Sequence, residues 1–265
     1  MSQKPPPKQF IKKPISGTKF TILISSAKGG VGKSTVTVNL AFALQKLGLK
    51  IGILDADVYG PSLPKLLNLN EKPKSKDGKF IQPIEKLNAQ CMSMGLLIDE
   101  QTPMMWRGPM VISAIKTMTQ KVLWEDRDII LIDMPPGTGD TQLTIAQELK
   151  IDGAIIVSTP QDLALLDVKR GIEMFNKTGV KILGLVDNMS YFRGDDGKDY
   201  KIFGEGGVKK ASMEFDKKFL GQLPLHEDLR KSADDGSPLT VSKPEHEISK
   251  LFIKLAEQIK KLLNL

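Results

Sequence analysis

Short, uninterrupted apolar runs recur along this chain and alternate with stretches whose apolar residues fall at helical spacing. A continuous apolar run of five or six residues is typical of a strand that is buried on both faces. The pattern predicts six such strands, at residues 20–26, 50–55, 128–133, 153–158, 181–186 and 218–223. It also predicts six helices, at residues 33–47, 109–121, 141–148, 163–177, 208–215 and 248–263.

Strands that alternate with helices predict an α/β fold, doubly wound, with a mainly parallel sheet and helices on both faces. In such sheets the ligand site lies beyond the carboxyl ends of the strands. The chain contains no internal repeat and no linker, so we expect one domain over residues 20–265. Residues 1–19 form a lysine- and proline-rich tail that we expect to be disordered.

Charge and hydropathy limit the partners that we expect. The tail carries five of the seven net positive charges, so the body is close to neutral and no nucleic-acid partner is predicted. No apolar run reaches the roughly 18–20 residues of a membrane span, and residues 20–24 are too short for a signal peptide, which favours a cytoplasmic protein. The amphipathic pattern at 248–263 predicts a helix that closes the sheet, the alternative being a membrane-surface helix.

A glycine-rich loop follows the first predicted strand and opens the first predicted helix, in the pattern of a phosphate-binding P-loop. Glycines let several backbone N–H groups turn toward phosphates, and the helix N-terminus adds a partial positive charge. We expect Lys33 to reach the β- and γ-phosphates and the Ser34 hydroxyl to ligate Mg²⁺. One position departs from the usual pattern, since Ala27 stands where glycine is normal. The candidate nucleotide-binding residues here are Gly29, Gly30, Val31, Gly32, Lys33, Ser34 and Thr35.

Acidic residues end two of the predicted strands. Asp55 and Asp57 follow the second strand and Asp133 follows the third, so the three carboxylates should converge near the phosphates, with Asp133 toward Mg²⁺. The alternative is that they are helix caps or turn residues. Gly137, in the segment after Asp133, offers an amide that senses the γ-phosphate. Asn188 follows the fifth strand and can pair with adenine N6 and N7, which favours ATP over GTP.

Lys28, directly before the glycines, makes the loop similar to that of the deviant P-loop ATPases, the class of MinD and ParA. The resemblance implies that Lys28 reaches across a dimer interface to the partner's nucleotide. It also implies that Asp57 orients or activates the attacking water and that Asp55 lies near Mg²⁺. The candidate catalytic residues are therefore Lys28, Lys33 and Asp57, and the candidate Mg²⁺ site is Ser34, Asp55 and Asp133.

Further segments resemble the Mrp/ApbC subfamily of that class, in the same order along the chain. They are residues 55–64, 106–110, 133–140, 159–162, 188–192, 202–207 and 223–225. The resemblance implies a homodimeric, Mg²⁺-dependent ATPase that carries iron–sulfur clusters to apoproteins, and it adds Pro224 to the nucleotide-binding residues. The implied partners are a second copy of the chain and apo iron–sulfur client or scaffold proteins.

The chain departs from the subfamily where a cluster would be held. Members carry a Cys-x-x-Cys pair where this chain has Gly194 and Gly197, so no iron–sulfur ligand is predicted. Cys91 is the single cysteine of the sequence and lies in an apolar run, which favours a core position. Three functions stay open: a cluster carrier, an ATP-driven protein-binding switch in cluster assembly that holds no cluster, and a MinD/ParA-like positioning ATPase on membrane or DNA.

Two remaining features have mainly structural interpretations. Six of the eleven methionines fall between residues 92 and 118, where we expect core and dimer packing or an adaptable client-binding surface. His226 and His246 are too isolated in the sequence to predict a metal site.

Overall fold

The structure is a computed structural model that describes residues 12–75, 77–97, 108–161 and 163–265. Parts of the features predicted from the sequence lie outside these ranges: residues 1–11 of the tail, residues 106 and 107 of the segment 106–110, residue 162 of the segment 159–162, and the methionines Met104 and Met105. Within the described residues the strands are β1 Thr18–Ser25, β2 Ile51–Asp55, β3 Ile84–Lys86, β4 Ala89–Ser93, β5 Arg127–Asp133, β6 Gly153–Ser158, β7 Ile182–Arg193, β8 Asp199–Tyr200 and β9 Phe219–Leu225.

All of these strands join one sheet. Its order is β3-β4-β2-β5-β1-β6-β7, with β9 on the far side of β7 and β8 paired to the last two residues of β7. Every pair between β4 and β9 is parallel, whereas β3–β4 and β7–β8 are antiparallel hairpins. The central parallel strands β1, β2, β5 and β6 are almost fully buried, as their continuous apolar sequence requires.

Helices cover both faces of the sheet and divide the core into two apolar clusters. The described helices are α1 Lys33–Lys46, α2 Leu63–Leu66, α3 Gly108–Gln120, α4 Asp140–Glu148, α5 Leu163–Thr178, α6 Gly207–Glu214, α7 Glu227–Asp234, α8 Leu239–Ser242 and α9 Glu247–Leu262. One cluster lies under α1, α2 and α7–α9, and the other lies under α3–α6. The doubly wound α/β architecture is therefore confirmed.

The predicted closing helix and the methionine-rich segment both contribute to this core. In α9 the residues Ile248, Phe252 and Ile259 are buried in the cluster that contains α1, so the apolar stripe faces the protein. Of the helices that the structure describes, none combines the length and apolarity that crossing a membrane requires. Met92, Met94 and Met118 are core residues, whereas Met110 is exposed.

The expected boundary of the tail is wrong for residues 12–19. Lys13 pairs with Leu149 by backbone hydrogen bonds, Ile15 is buried in the α3–α6 cluster, and β1 begins at Thr18. This stretch has too few apolar residues to predict a strand. It is held on the domain by the buried Ile15 and by backbone hydrogen bonds of Lys13 at the C-terminal end of α4. The disorder expected for residues 1–11 stays a prediction.

Candidate functional site

The predicted P-loop runs between β1 and α1 and is shaped by two glycines. Gly30 and Gly32 have φ angles of 77° and 78°, a left-handed conformation that glycine adopts without steric cost. Gly32 also lacks space for a side chain, because a Cβ atom there would lie 2.4 Å from Asn188 Nδ2. Since α1 begins at Lys33 with no side-chain cap, its first N–H groups remain available for an anion.

Lys33 is anchored beneath this loop by a buried ion pair. Its Nζ lies 2.7 Å from Asp133 Oδ1, and the two side chains are only 6% and 4% exposed. Thr37 Oγ1 donates to the same carboxylate oxygen at 2.9 Å, and Lys33 Nζ lies 3.4 Å from Ser34 Oγ. The structure thus brings together the lysine, hydroxyl and carboxylate that the sequence analysis assigned to phosphate and Mg²⁺.

Asp55 and Asp133 lie side by side because their strands are paired in register, Asp55 opposite Asp133. Burial raises the pKa of Asp55 above its ordinary value, and the neighbouring Asp133 carboxylate raises it further. Asp55 accepts hydrogen bonds from the backbone N–H groups of Asp57, Ser62 and Leu63 and from the Ser93 hydroxyl. Asp55 therefore organises the loop that leads into α2 and lies next to the Mg²⁺ candidate Asp133.

Asp57 is held at the rim of the same loop. Its Oδ1 accepts from the N–H groups of Tyr59 and Gly60, both at 3.2 Å, which is the geometry of a turn-forming aspartate. The residue is 8% exposed, so its carboxylate borders solvent whereas Asp55 is fully enclosed. This position is compatible with both the turn alternative and contact with water.

The segment after Asp133 packs directly on the P-loop. The Gly137 N–H donates to the Ser26 carbonyl at 2.9 Å, and Gln142 Nε2 donates to the carbonyls of Pro135 and Pro136. The Gly137 amide is thus engaged with the P-loop itself. Any contact between this amide and a γ-phosphate requires that bond to be exchanged.

A cleft of about 210 Å³ opens beside the P-loop, lined by Gly32, Thr35, Asn188, Pro224 and one side of α7. Asn188 Nδ2 donates to the Val31 carbonyl at 2.8 Å, so the side-chain amide is fixed to the loop. Its Oδ1 is buried without a hydrogen-bond partner among the described residues. An exocyclic amino group, such as N6 of adenine, is the donor that this oxygen lacks.

Lys28 reaches the loop after β6. Its Nζ donates to Gln161 Oε1 at 3.0 Å, and the same oxygen accepts from Thr159 Oγ1 at 2.5 Å. Gln161 belongs to the segment 159–162 that carries the family resemblance, but its contact with Lys28 was not predicted, because the two residues are 133 positions apart and no local pattern links them.

The sequence of this chain is similar to those of known P-loop proteins over most of its length. Residues 17–260 match the ParA family described as NUBPL iron-transfer P-loop NTPase. The chain belongs to this family. It is 49% identical over 249 residues, 93% of this chain and 80% of the relative, to "Iron-sulfur protein required for NADH dehydrogenase, mitochondrial" of Arabidopsis thaliana. It is 47% identical over 247 residues, 92% of this chain and 67% of the relative, to the "Iron-sulfur cluster carrier protein" of Escherichia coli K12.

Solved structures agree with the family and with the fold. The chain is similar to a nucleotide-binding protein from Archaeoglobus fulgidus in complex with ADP, with a TM-score of 0.77 and 37% identity over 90% of this chain and 93% of that one. It is also similar to the cell-division ATPase MinD of Pyrococcus furiosus, with a TM-score of 0.66 and 25% identity over 92% and 99% of the two chains. The predicted membership of the MinD/ParA class is confirmed.

Within this family, the segment where the resemblance implies two cysteines is a tight hairpin between β7 and β8. The Gly194 N–H donates to the Lys198 carbonyl, the Gly197 N–H donates to the Gly194 carbonyl, and Gly197 has a φ of 76°. A Cβ at Gly194 would lie 2.8 Å from the Tyr200 ring, and Arg193 is paired with Asp199 across the hairpin. Gly197 thus has a backbone conformation that favours glycine, whereas a side chain at Gly194 would require the exposed Tyr200 to move.

Cys91 lies at the centre of β4, paired with Ile53 on β2 and Ile84 on β3. Its side chain is buried in the α1-side core, as predicted. Burial raises the pKa of the Cys91 thiol well above its usual range. A buried, protonated thiol does not fit the thiolate ligand that an iron–sulfur cluster requires.

The view of His226 and His246 as isolated residues is wrong. Their ring centroids lie 5.1 Å apart, and His246 Nε2 is 3.3 Å from Asp228 Oδ2. Each Nδ1 accepts a backbone N–H, from Asp228 and Ile248 respectively, so the histidines cap α7 and α9. A neutral imidazole that accepts at Nδ1 carries its proton on Nε2, which opposes metal binding there. The fold, rather than sequence spacing, brings these helix starts together.

Proposed function

We propose that this protein is a Mg²⁺-dependent ATPase that acts as a homodimer in iron–sulfur cluster transfer to apoproteins. The observation that carries the proposal is the combination of the buried Lys33–Asp133 pair and the base-sized cleft at Asn188, in a chain of the iron-transfer family. The ion pair and the cleft support nucleotide binding, and membership of the family supports a role in iron–sulfur cluster transfer.

The donor set around Lys33 fits a hydrated Mg²⁺ ion. Ser34 offers a hydroxyl and Asp133 a carboxylate, and hard oxygen ligands are those that Mg²⁺ prefers. Asp55 lies beside Asp133 on the neighbouring strand and would add a second carboxylate near the ion. When bound, the ion would neutralise charge on the β- and γ-phosphates. Lys33 would exchange part of its ion pair with Asp133 for contact with the phosphates, which is the role of the P-loop lysine.

Asp57 and Asn188 serve the two ends of the nucleotide in this proposal. Asp57 orients the attacking water from the solvent-facing rim, with its Oδ1 fixed by the turn. Asn188 and Pro224 hold the base, with the unpartnered Oδ1 of Asn188 accepting from adenine N6. This acceptor favours ATP over GTP, because guanine presents a carbonyl where adenine presents an amino group.

Lys28 and Gly137 would couple the nucleotide to dimer closure. Lys28 acts on the nucleotide of the second subunit, as the resemblance implies. The Gly137 amide changes partner from the Ser26 carbonyl to the γ-phosphate, which moves the segment after β5 when ATP replaces ADP. ATP would therefore drive the subunits between closed and open arrangements.

ATP turnover tests this proposal. Lys33→Ala is expected to abolish hydrolysis, because it removes the phosphate cation and leaves Asp133 buried without its ion-pair partner. Lys46→Ala is the matched control, since this lysine lies on the exposed end of the same helix. Undiminished turnover in folded Lys33→Ala protein would overturn the assignment.

A second candidate function is favoured by the chemistry of Cys91 and the glycine hairpin. In this candidate the ATPase binds client or scaffold proteins and holds no cluster, since the single cysteine is buried and positions 194 and 197 carry no side chain. Anaerobic reconstitution followed by iron counting separates the candidates. A stable cluster of about four irons per dimer, lost in Cys91→Ser, would contradict the cluster-free candidate.

The positioning ATPase is not the function that the described structure favours. The apolar stripe of α9 is buried in the core, so this helix has no free face for a membrane. The cytoplasmic location stays a prediction.

A further inference from the structure

We propose that Gln161 is the positioning residue for Lys28: from the loop after β6 it orients the ammonium while leaving its charge unneutralised for a phosphate. The inference rests on the proposed ATPase function and adds a residue to which the P-loop pattern assigns no role. It starts from the Lys28–Gln161 hydrogen bond of 3.0 Å.

The Gln161 amide is held in one orientation. Its Oε1 accepts from both Lys28 Nζ and Thr159 Oγ1, which uses the two lone pairs of a carbonyl oxygen. Thr159 is itself buried at the end of β6, so its hydroxyl is a fixed donor. The orientation of this acceptor therefore does not depend on a flexible surface contact.

The backbone of the same loop is clamped against α6. The Pro160 carbonyl approaches Gly207 so closely that a Cβ at that position would lie 2.4 Å from the oxygen. Gly207 is the first residue of α6, and this contact leaves room only for glycine. Residues 159–161 are thus placed by the end of β6 on one side and by the start of α6 on the other.

The type of residue at 161 matters for the charge of Lys28. A carboxylate would neutralise the ammonium, whereas a neutral amide oxygen orients it and leaves two N–H groups free. No described carboxylate is paired with Lys28. A lysine that acts on an external phosphate needs its full charge, and the glutamine supplies geometry without removing it.

Steady-state ATP hydrolysis by the full chain tests this role, with each variant made in the wild type and in the Lys28→Ala background. Gln161→Met keeps the side-chain volume and removes the acceptor, so it should lower kcat about two- to tenfold with little change in KM. Gln161→Glu should also lower kcat, and added salt should restore part of the loss. Thr159→Val should act in the same direction with a smaller effect.

The decisive result is the double variant. If Gln161 acts through Lys28, adding Gln161→Met to Lys28→Ala should leave kcat unchanged. An equal loss in both backgrounds, or no loss in the wild type at an unchanged thermal midpoint, would overturn the proposal. A wild type that does not hydrolyse ATP at all would instead defeat the proposed function, and this inference would fall with it.

Discussion

Gly32→Ala tests whether the shape of the P-loop depends on its contact with Asn188. Alanine at a φ of 78° costs about 1–2 kcal/mol, because its Cβ meets the following carbonyl. The added Cβ would also lie 2.4 Å from Asn188 Nδ2, so the amide must rotate and lose its bond to the Val31 carbonyl, about 1 kcal/mol more. The two costs together amount to about 2–3 kcal/mol.

Gly30→Ala separates these two costs. Gly30 has nearly the same φ, 77°, but a Cβ there would meet nothing within 4 Å. The free loop can relax these costs, but it must recover the wild-type conformation to bind the nucleotide. Titration calorimetry with Mg²⁺ and ATP should therefore show binding about 30- to 150-fold weaker than wild type for Gly32→Ala. The loss of affinity in Gly30→Ala should be about fivefold smaller, because this variant has the strain of alanine at a positive φ but keeps the Asn188 hydrogen bond. Equal affinities of the two variants would refute the role of Asn188, and wild-type affinity in Gly32→Ala would refute the whole argument.

Three further predictions concern groups outside the P-loop. Burial raises the pKa of Asp187 to about 6, so the protonated carboxyl is the form that the folded protein favours, and its stabilising effect is present below about pH 4 and is lost as pH rises through 6. In urea unfolding, the free energy of unfolding of the wild type should fall by roughly 1 kcal/mol between pH 5 and 7.5 relative to Asp187→Asn, and parallel pH profiles would contradict this. His246→Ala should cost about 1 kcal/mol by removing the α9 cap, a drop of about 2–4 °C in the thermal midpoint; an unchanged midpoint would exclude the cap. Cys91→Ser should destabilise the core by about 1–3 kcal/mol in urea unfolding and leave ATP turnover per folded molecule unchanged, whereas lost turnover would give the thiol a role in the site.

Elements with a strong local signal could be predicted from the sequence. The six long apolar strands and six of the helices were found within a few residues, since their burial on both faces or one face leaves a direct pattern. Strand β7 is the main exception in length. Its apolar run stops at residue 186, but the strand continues to Arg193 through a mixed stretch in which polar residues such as Asp187 and Asn188 interrupt the apolar pattern.

The β3–β4 hairpin was missed for a reason that lies in its turn. Leu87 and Asn88 both have positive φ angles, 52° and 61°, which is the conformation of a tight hairpin turn. Leucine is unusual there, so the familiar Asn-Gly or Asp-Gly signal is absent. The helices α2 and α8 were not predicted because each has only four residues, and α7 was not predicted because most of its eight residues are polar.

The site divides in the same way. The P-loop and Asp133 could be predicted because strand ends and glycine spacing are local features. Two other contacts join residues that are distant in sequence and meet only in the fold: Lys28 with Gln161, and His226 with His246. Sequence spacing carries no signal for such contacts.

Cluster transfer in the presence of ATP tests the central claim most directly. The assay measures reactivation of an apo [4Fe–4S] enzyme, with a loaded scaffold as the cluster source, so that it reports on transfer whether or not the protein itself holds the cluster. The account predicts faster reactivation with wild-type protein and MgATP, and no acceleration with Lys33→Ala or without nucleotide. The same rate in all three conditions would contradict it.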